Sequence, residues 1–178
     1  MVEKEPNYSY VTARLLLNNL ENEVGAFLEI KERKDRSKMY AEALAKTVDK
    51  GIELDFLNEE LKTYDLAKMG EAILEERDFQ FTYLGLQTLY DRYFITFEEI
   101  RYELPQVFFM RVAMGLALNE ENKEEKAIEF YKLLSSFDYM SSTPTLFNSG
   151  TKRPQLSSCY LTTVPDDLSG IYLSLIHI

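Results

Sequence analysis

Few side chains in this sequence can do chemistry beyond binding protons. Cys159 is the only cysteine of the 178 residues, and it closes the run Ser157-Ser158-Cys159. A thiol can give up a hydrogen atom, and it can be one half of a reversible disulfide; its purely structural reading is an inert buried thiol in an apolar strand. Upstream, Thr143-Pro144-Thr145 and Ser158 offer short hydroxyl side chains, which donate to phosphate oxygens without bulk. Such residues equally often bond their own backbone at turns and strand starts. Asp166-Asp167-Leu168 combines acceptors suited to a sugar hydroxyl with a sequence that caps a following helix. Glu59-Glu60 and Glu75-Glu76 have no His or Cys companions, so they are expected to be exposed helix residues. The only histidine, His177, stands in the last residues and receives no acid–base or metal role. No metal is expected in this chain.

The elements that must position these residues are mostly helical. Leu16, Leu20, Val24 and Phe27 recur at helical spacing within a helix from Asn7 to about Ile30. A second helix fits Ser37–Lys50, with Tyr40, Leu44, Thr47 and Val48 inward and Gly51 as its stop. A third fits Leu66–Glu76, and after an irregular step at Asp78–Phe81 a fourth runs from Thr82 to Arg92. Pro105 can open a helix whose buried stripe is Phe108, Val112 and Leu116. Asn122 with Glu125 has the spacing of a capping box, and Ala127, Ile128, Tyr131 and Leu134 continue that helix on one side. From Tyr139 to Tyr172 the helical period is lost. Thr143-Pro144-Thr145, Asn148-Ser149-Gly150 and Arg153-Pro154 read as turns, and Cys159–Val164 reads as a strand. A single strand needs partners for its backbone, and the rest of the chain supplies none.

Composition narrows the function classes. The net charge is −10, which disfavours a nucleic-acid backbone as partner, because that binding needs clustered Lys and Arg. The basic run Lys31–Lys38 is broken by Glu32 and Asp35 and reads as a solvated face or loop. One cysteine allows no internal disulfide, no apolar run approaches the roughly 20 residues that span a bilayer, and Met1–Pro6 lacks the apolar core of a signal peptide. A cytoplasmic location with no membrane partner is the expectation.

Ser142-Thr143-Pro144-Thr145-Leu146-Phe147-Asn148-Ser149-Gly150-Thr151-Lys152-Arg153-Pro154-Gln155-Leu156-Ser157-Ser158-Cys159 resembles the substrate loop of the class I ribonucleotide reductase large subunit. Phe81–Tyr93, Pro105–Gly115 and Pro6–Arg14 are similar to that family too, in the same order. The resemblance implies a mainly α chain: an amino-terminal helical domain, incomplete at its start, over residues 1–141. Residues 142–172 would be the substrate loop and first strand of a truncated ten-stranded α/β barrel. It implies reduction of ribonucleoside diphosphates to 2′-deoxyribonucleoside diphosphates by thiyl-radical chemistry, with Cys159 as one member of a redox-active pair whose partner lies outside this sequence. Thr143 and Ser158, with Thr145 beside them, match substrate-binding positions. Asp166, Asp167 and Leu168 match the start of the specificity-effector site.

The resemblance further implies a second large subunit, a radical-generating small subunit carrying a metal-radical cofactor, thioredoxin or glutaredoxin as reductant, and deoxynucleoside triphosphate or ATP effectors. No cofactor is expected in this chain itself. Met1 falls where the family has an internal helix, so it is not expected to be a natural start. Gly170-Ile171-Tyr172 fits the family, but Leu173-Ser174-Leu175-Ile176-His177-Ile178 departs from the polar helix expected there. Residues 173–178 are therefore expected to be a non-native tail, translated from a sequencing adaptor. The alternative from another class is a small acidic helical binding module with no catalytic activity, which would be a folded unit with an inert, buried Cys159.

Overall fold

The computed structural model describes residues 7–161 and 163–176, residues 174–176 for their backbone alone. Residues 1–6, Thr162, His177 and Ile178 lie outside it, and with them the expectations for the start of the chain, for one residue of the strand and for the end of the tail. The helices are α1 (Tyr8–Phe27), α2 (Arg36–Glu53), α3 (Leu66–Glu71), α4 (Tyr83–Arg92), α5 (Pro105–Leu116), α6 (Lys123–Ser135), α7 (Thr143–Asn148) and α8 (Leu168–Ile176). A two-stranded hairpin, β1 (Thr96–Phe97) and β2 (Ile100–Arg101), precedes α5, and 3-10 turns cover Glu59–Thr63 and Glu75–Gln80.

α5 is the centre of the body. Pro105 sits in its first turn, where the missing amide leaves no helical bond unmade. Every residue from Pro105 to Met114 is buried, so the helix is apolar almost all round, as a core helix should be. α6 packs on one side of it, α2 and the short α7 on others, while α1 packs on α4 and β2. α1 buries Ala13, Leu17, Leu20 and Val24. Leu16 and Phe27, expected on that face, are only partly buried against the core. α2 buries Tyr40, Leu44, Thr47 and Val48 as the spacing predicts, and Asp35 caps it by accepting from the Lys38 amide (3.3 Å).

Several local expectations are corrected. Gly51 does not stop α2, which runs on to Glu53; it is buried inside the helix, where a Cβ would lie 2.5 Å from Leu57 Cδ1. The helix predicted over Leu66–Glu76 ends at Glu71, and the chain turns so that Ile73 is buried and the Leu74 amide donates to the Tyr131 hydroxyl (2.9 Å). Glu59, Glu60, Glu75 and Glu76 therefore stand on 3-10 turns, with Glu75 half-buried. Asn122 precedes α6, but its side chain makes no capping bond. Arg36, within the basic run, is not simply solvated: it pairs with Glu21 and reaches Asp78 Oδ2 (3.4 Å).

Thr143-Pro144-Thr145 is the first turn of α7, with Pro144 where a proline is tolerated. The strand expected over Cys159–Val164 is not formed by the described residues of that stretch, which are exposed and irregular. Nothing in the described chain pairs with them, and an unpaired strand has no ladder to hold it.

Candidate functional site

The loop from Ser142 to Leu156 is tied to the helical body at several points. Arg111 and Glu103 are both fully buried, and an unpaired charge there would be strongly unfavourable. They form a two-point pair: Arg111 Nε donates to Glu103 Oε1 (2.6 Å) and Nη2 to Oε2 (3.2 Å). Glu103 also accepts from the Ile95 amide (2.9 Å), and Arg111 Nη1 donates to the Ser149 carbonyl. One ion pair thus joins the hairpin's flank, α5 and the end of α7. Ser149 Oγ donates to the Val112 carbonyl (2.7 Å), and Gly150, at φ +77°, lets the chain turn against Arg111.

α5 and the loop cross very closely at this point. A Cβ on Gly115 would stand 2.1 Å from the Gly150 nitrogen, so only glycine fits. On the far side the Asn58 amide donates to the Gly150 carbonyl (3.0 Å) and the Lys152 amide to the Phe56 carbonyl (2.9 Å). Asn148 Nδ2 donates to the Gln155 carbonyl (2.8 Å) and Thr145 Oγ1 to the Leu156 carbonyl (3.1 Å). Thr145, a candidate substrate ligand, therefore already uses its proton within the loop.

Thr143 stands differently. It is exposed, and its hydroxyl lies 3.2 Å from the Tyr93 hydroxyl. Beside it an open cleft of about 550 Å³ is lined by Gln80, Thr82, Phe109, Met140 and Thr143 among others. Cys159 is a free, exposed thiol with Ser158 Oγ 3.7 Å from its sulfur. The inert buried thiol of the structural reading is not what is found. Among the described residues from Ser157 to Asp166, no hydrogen bond reaches the helical body. The structure thus brings Thr143 and Thr145 together on α7 and leaves Ser158 and Cys159 as a neighbouring pair beyond it. Asp166 and Asp167 are exposed at the start of α8. Asp167 Oδ1 accepts from the Gly170 amide (2.8 Å), which is the helix-capping geometry foreseen for it.

A second buried polar cluster was not anticipated from the sequence. Asp78 is buried and accepts from Tyr40, from Gln106 Nε2 (2.8 Å) and from Arg36. Gln106 Oε1 in turn accepts from the Tyr131 hydroxyl (2.9 Å). Burial raises the Asp78 carboxyl to about 7, against the opposing pull of Tyr40, Gln106 and Arg36. Burial also raises the Tyr131 hydroxyl to about 12. Among the described residues, no group of three or more His, Cys, Asp or Glu side chains is placed to hold a metal ion, and no helix is long and apolar enough to cross a membrane.

The family model for the ribonucleotide reductase all-alpha domain matches residues 79–154, which begin just after Asp78 and run through the pinned loop. The chain is 49% identical over 172 residues to the ribonucleoside-diphosphate reductase subunit alpha of Chlamydia trachomatis, covering 96% of this chain and 16% of that protein. It is 41% identical to the subunit alpha of Helicobacter pylori, covering 94% and 20%, and 36% identical to the large subunit of Danio rerio, covering 95% and 20%. The chain spans about a sixth to a fifth of the length of these relatives. The mainly helical body and a similarity that runs through nearly the whole chain agree: over almost all its length the chain is similar to ribonucleotide reductase large subunits.

Proposed function

We propose that this chain carries part of the active site of an enzyme subunit that reduces ribonucleoside diphosphates to 2′-deoxyribonucleoside diphosphates. Residues 1–141 are the helical domain, 142–172 the substrate loop leading towards a catalytic barrel, and 173–178 a tail foreign to the parent. The observation that carries the reading is the 49% identity to a reductase subunit across 96% of the chain. The exposure of Cys159 just beyond a firmly held loop supports it. In the reaction proposed, two thiols lose two electrons and two protons as they close to a disulfide. The substrate gains hydrogen at C2′ in place of its hydroxyl, which leaves as water, and thioredoxin or glutaredoxin reopens the disulfide. Thiyl-radical chemistry, started by a separate radical-generating subunit, supplies the route.

Within this scheme Cys159 is one thiol of the pair, and Thr143 and Ser158 hold the substrate diphosphate or ribose. Thr145 keeps the loop in shape beside them. Asp166, Asp167 and Leu168 begin a site for a deoxynucleoside triphosphate or ATP effector at an interface with a second large subunit. The capping bond of Asp167 leaves that role open, because one carboxylate oxygen can cap a helix while the other accepts from a ligand. The relatives in the reductase family give no support to the free-standing binding module.

The test is made in the full-length parent protein with its radical-generating subunit. Cys159→Ser is expected to lower thioredoxin-coupled turnover roughly a thousandfold or more, as for residues that act as a unit. The fully reduced variant should also lose the two-thiol oxidation that accompanies product formation. Wild-type turnover by Cys159→Ser removes the assignment. The isolated chain is expected to form no deoxyribonucleotide.

A further inference from the structure

We infer that Tyr93 is a positioning residue for substrate phosphate, acting through Thr143; this rests on the reading of Thr143 as a substrate ligand. Tyr93 closes the carboxyl end of α4, where its amide donates to the Leu89 carbonyl. Its side chain grips α7 at two points. The ring stacks on Phe147 with centroids 4.7 Å apart and planes 10° from parallel, and the hydroxyl lies 3.2 Å from Thr143 Oγ1. Thr143 and Phe147 are four residues apart, so one face of α7 carries both contacts. Phe108 of α5 meets the same ring edge-on at 6.4 Å, which ties this grip to the buried core.

The chemistry gives the second hydroxyl a purpose. A phosphate offers only acceptors, so a threonine that binds it must have its single proton free. Of the two hydroxyls, the phenol is the better donor. With Tyr93 donating to Thr143 Oγ1, the threonine proton is turned outward and polarised for a phosphate oxygen. Thr145 also has a hydroxyl beside it, Ser142 Oγ at 3.2 Å, but its own proton goes to the Leu156 carbonyl and is not free for a phosphate.

The experiment uses the full-length enzyme with its radical-generating subunit and CDP as substrate, in four forms: wild type, Tyr93→Phe, Thr143→Val and the double variant. Phenylalanine keeps the stack and removes only the hydroxyl. Tyr93→Phe is expected to raise KM about three- to tenfold, the range of one neutral hydrogen bond, with kcat changed less than KM. In the Thr143→Val background the same change should have no further effect on KM. An unchanged KM in Tyr93→Phe, or an equal rise in both backgrounds, overturns the inference while leaving Thr143 a ligand. If Thr143→Val itself leaves KM unchanged, the substrate reading of Thr143 falls first and the role of Tyr93 falls with it.

Discussion

Arg111 and Glu103 show how much one buried residue can hold. Both are fully enclosed, and Arg111 serves Glu103, the Ser149 carbonyl and the face of Phe108 at 5.3 Å. Arg111→Met leaves a carboxylate buried without its cation, which is expected to reduce unfolding free energy by about 3–5 kcal/mol. Adding Glu103→Gln should restore part of that loss, because the uncompensated charge goes with it. Urea unfolding of the two variants measures both effects, and equal stability of single and double variants would contradict the account. Asp78 makes a pH-dependent prediction. Its carboxyl keeps a proton in the folded state up to about pH 7, whereas an unfolded aspartate releases it near pH 4. The folded state therefore binds the extra proton between those limits. The stability due to Asp78 is full below about pH 4 and is lost as pH rises through about 7. The unfolding free energy of wild type minus that of Asp78→Asn should fall over this window and level off above it. A pH-independent difference would refute the assignment.

At the level of elements, the closest crossing is that of α5 with the loop after α7. Gly115→Ala places a Cβ against the Gly150 backbone, and overpacking of this kind is expected to cost about 1–3 kcal/mol. A thermal melt within error of wild type would argue against so tight a crossing. The hairpin gives the opposite sign. Glu98 and Glu99 both take positive φ, 48° and 69°, although neither is a residue that favours it. Replacing them with Asn-Gly is expected to stabilise by about 1 kcal/mol, measured by the same melt. This turn was invisible in the sequence because the Asn or Gly that announces such a hairpin is missing. α5, by contrast, was legible from Pro105 and its apolar stripe. The Leu66–Glu76 prediction failed because periodicity continued past a turn that tertiary burial of Ile73 imposes. The candidate site was legible only in part. Hydroxyls, thiol and turn residues stand out as a motif, and Asp167 as a cap. The roles of Tyr93 and Glu103 depend on partners 50 and 8 residues away, and no local pattern encodes them. Arg111, alone among apolar neighbours, was the one available sign of a buried pair.

Across the whole molecule, two surface properties oppose each other. The net charge of −10 favours solubility. Yet α1 exposes Tyr8, Val11 and Leu15, and Leu84 of α4 is 74% exposed, so large apolar side chains face water. The folded chain is expected to bind and enhance the fluorescence of an anilinonaphthalene dye while keeping its helical circular dichroism. A folded chain that leaves the dye dark would count against exposed apolar surface.

The ties of the loop also end abruptly. Among the described residues, Leu156 is the last whose backbone is bonded to α7, and Ser158 and Cys159 follow with no such link. Two clocks should therefore run side by side in deuterated water. The amides of Asn58, Ser149 and Lys152, each donated to a backbone carbonyl, should exchange slowly, on the timescale on which the body opens. Those of Ser158, Cys159 and Tyr160 should exchange at nearly the rate of free peptide. The border between slow and fast label would then fall within a few residues, between a hydroxyl held still and a thiol left free to travel.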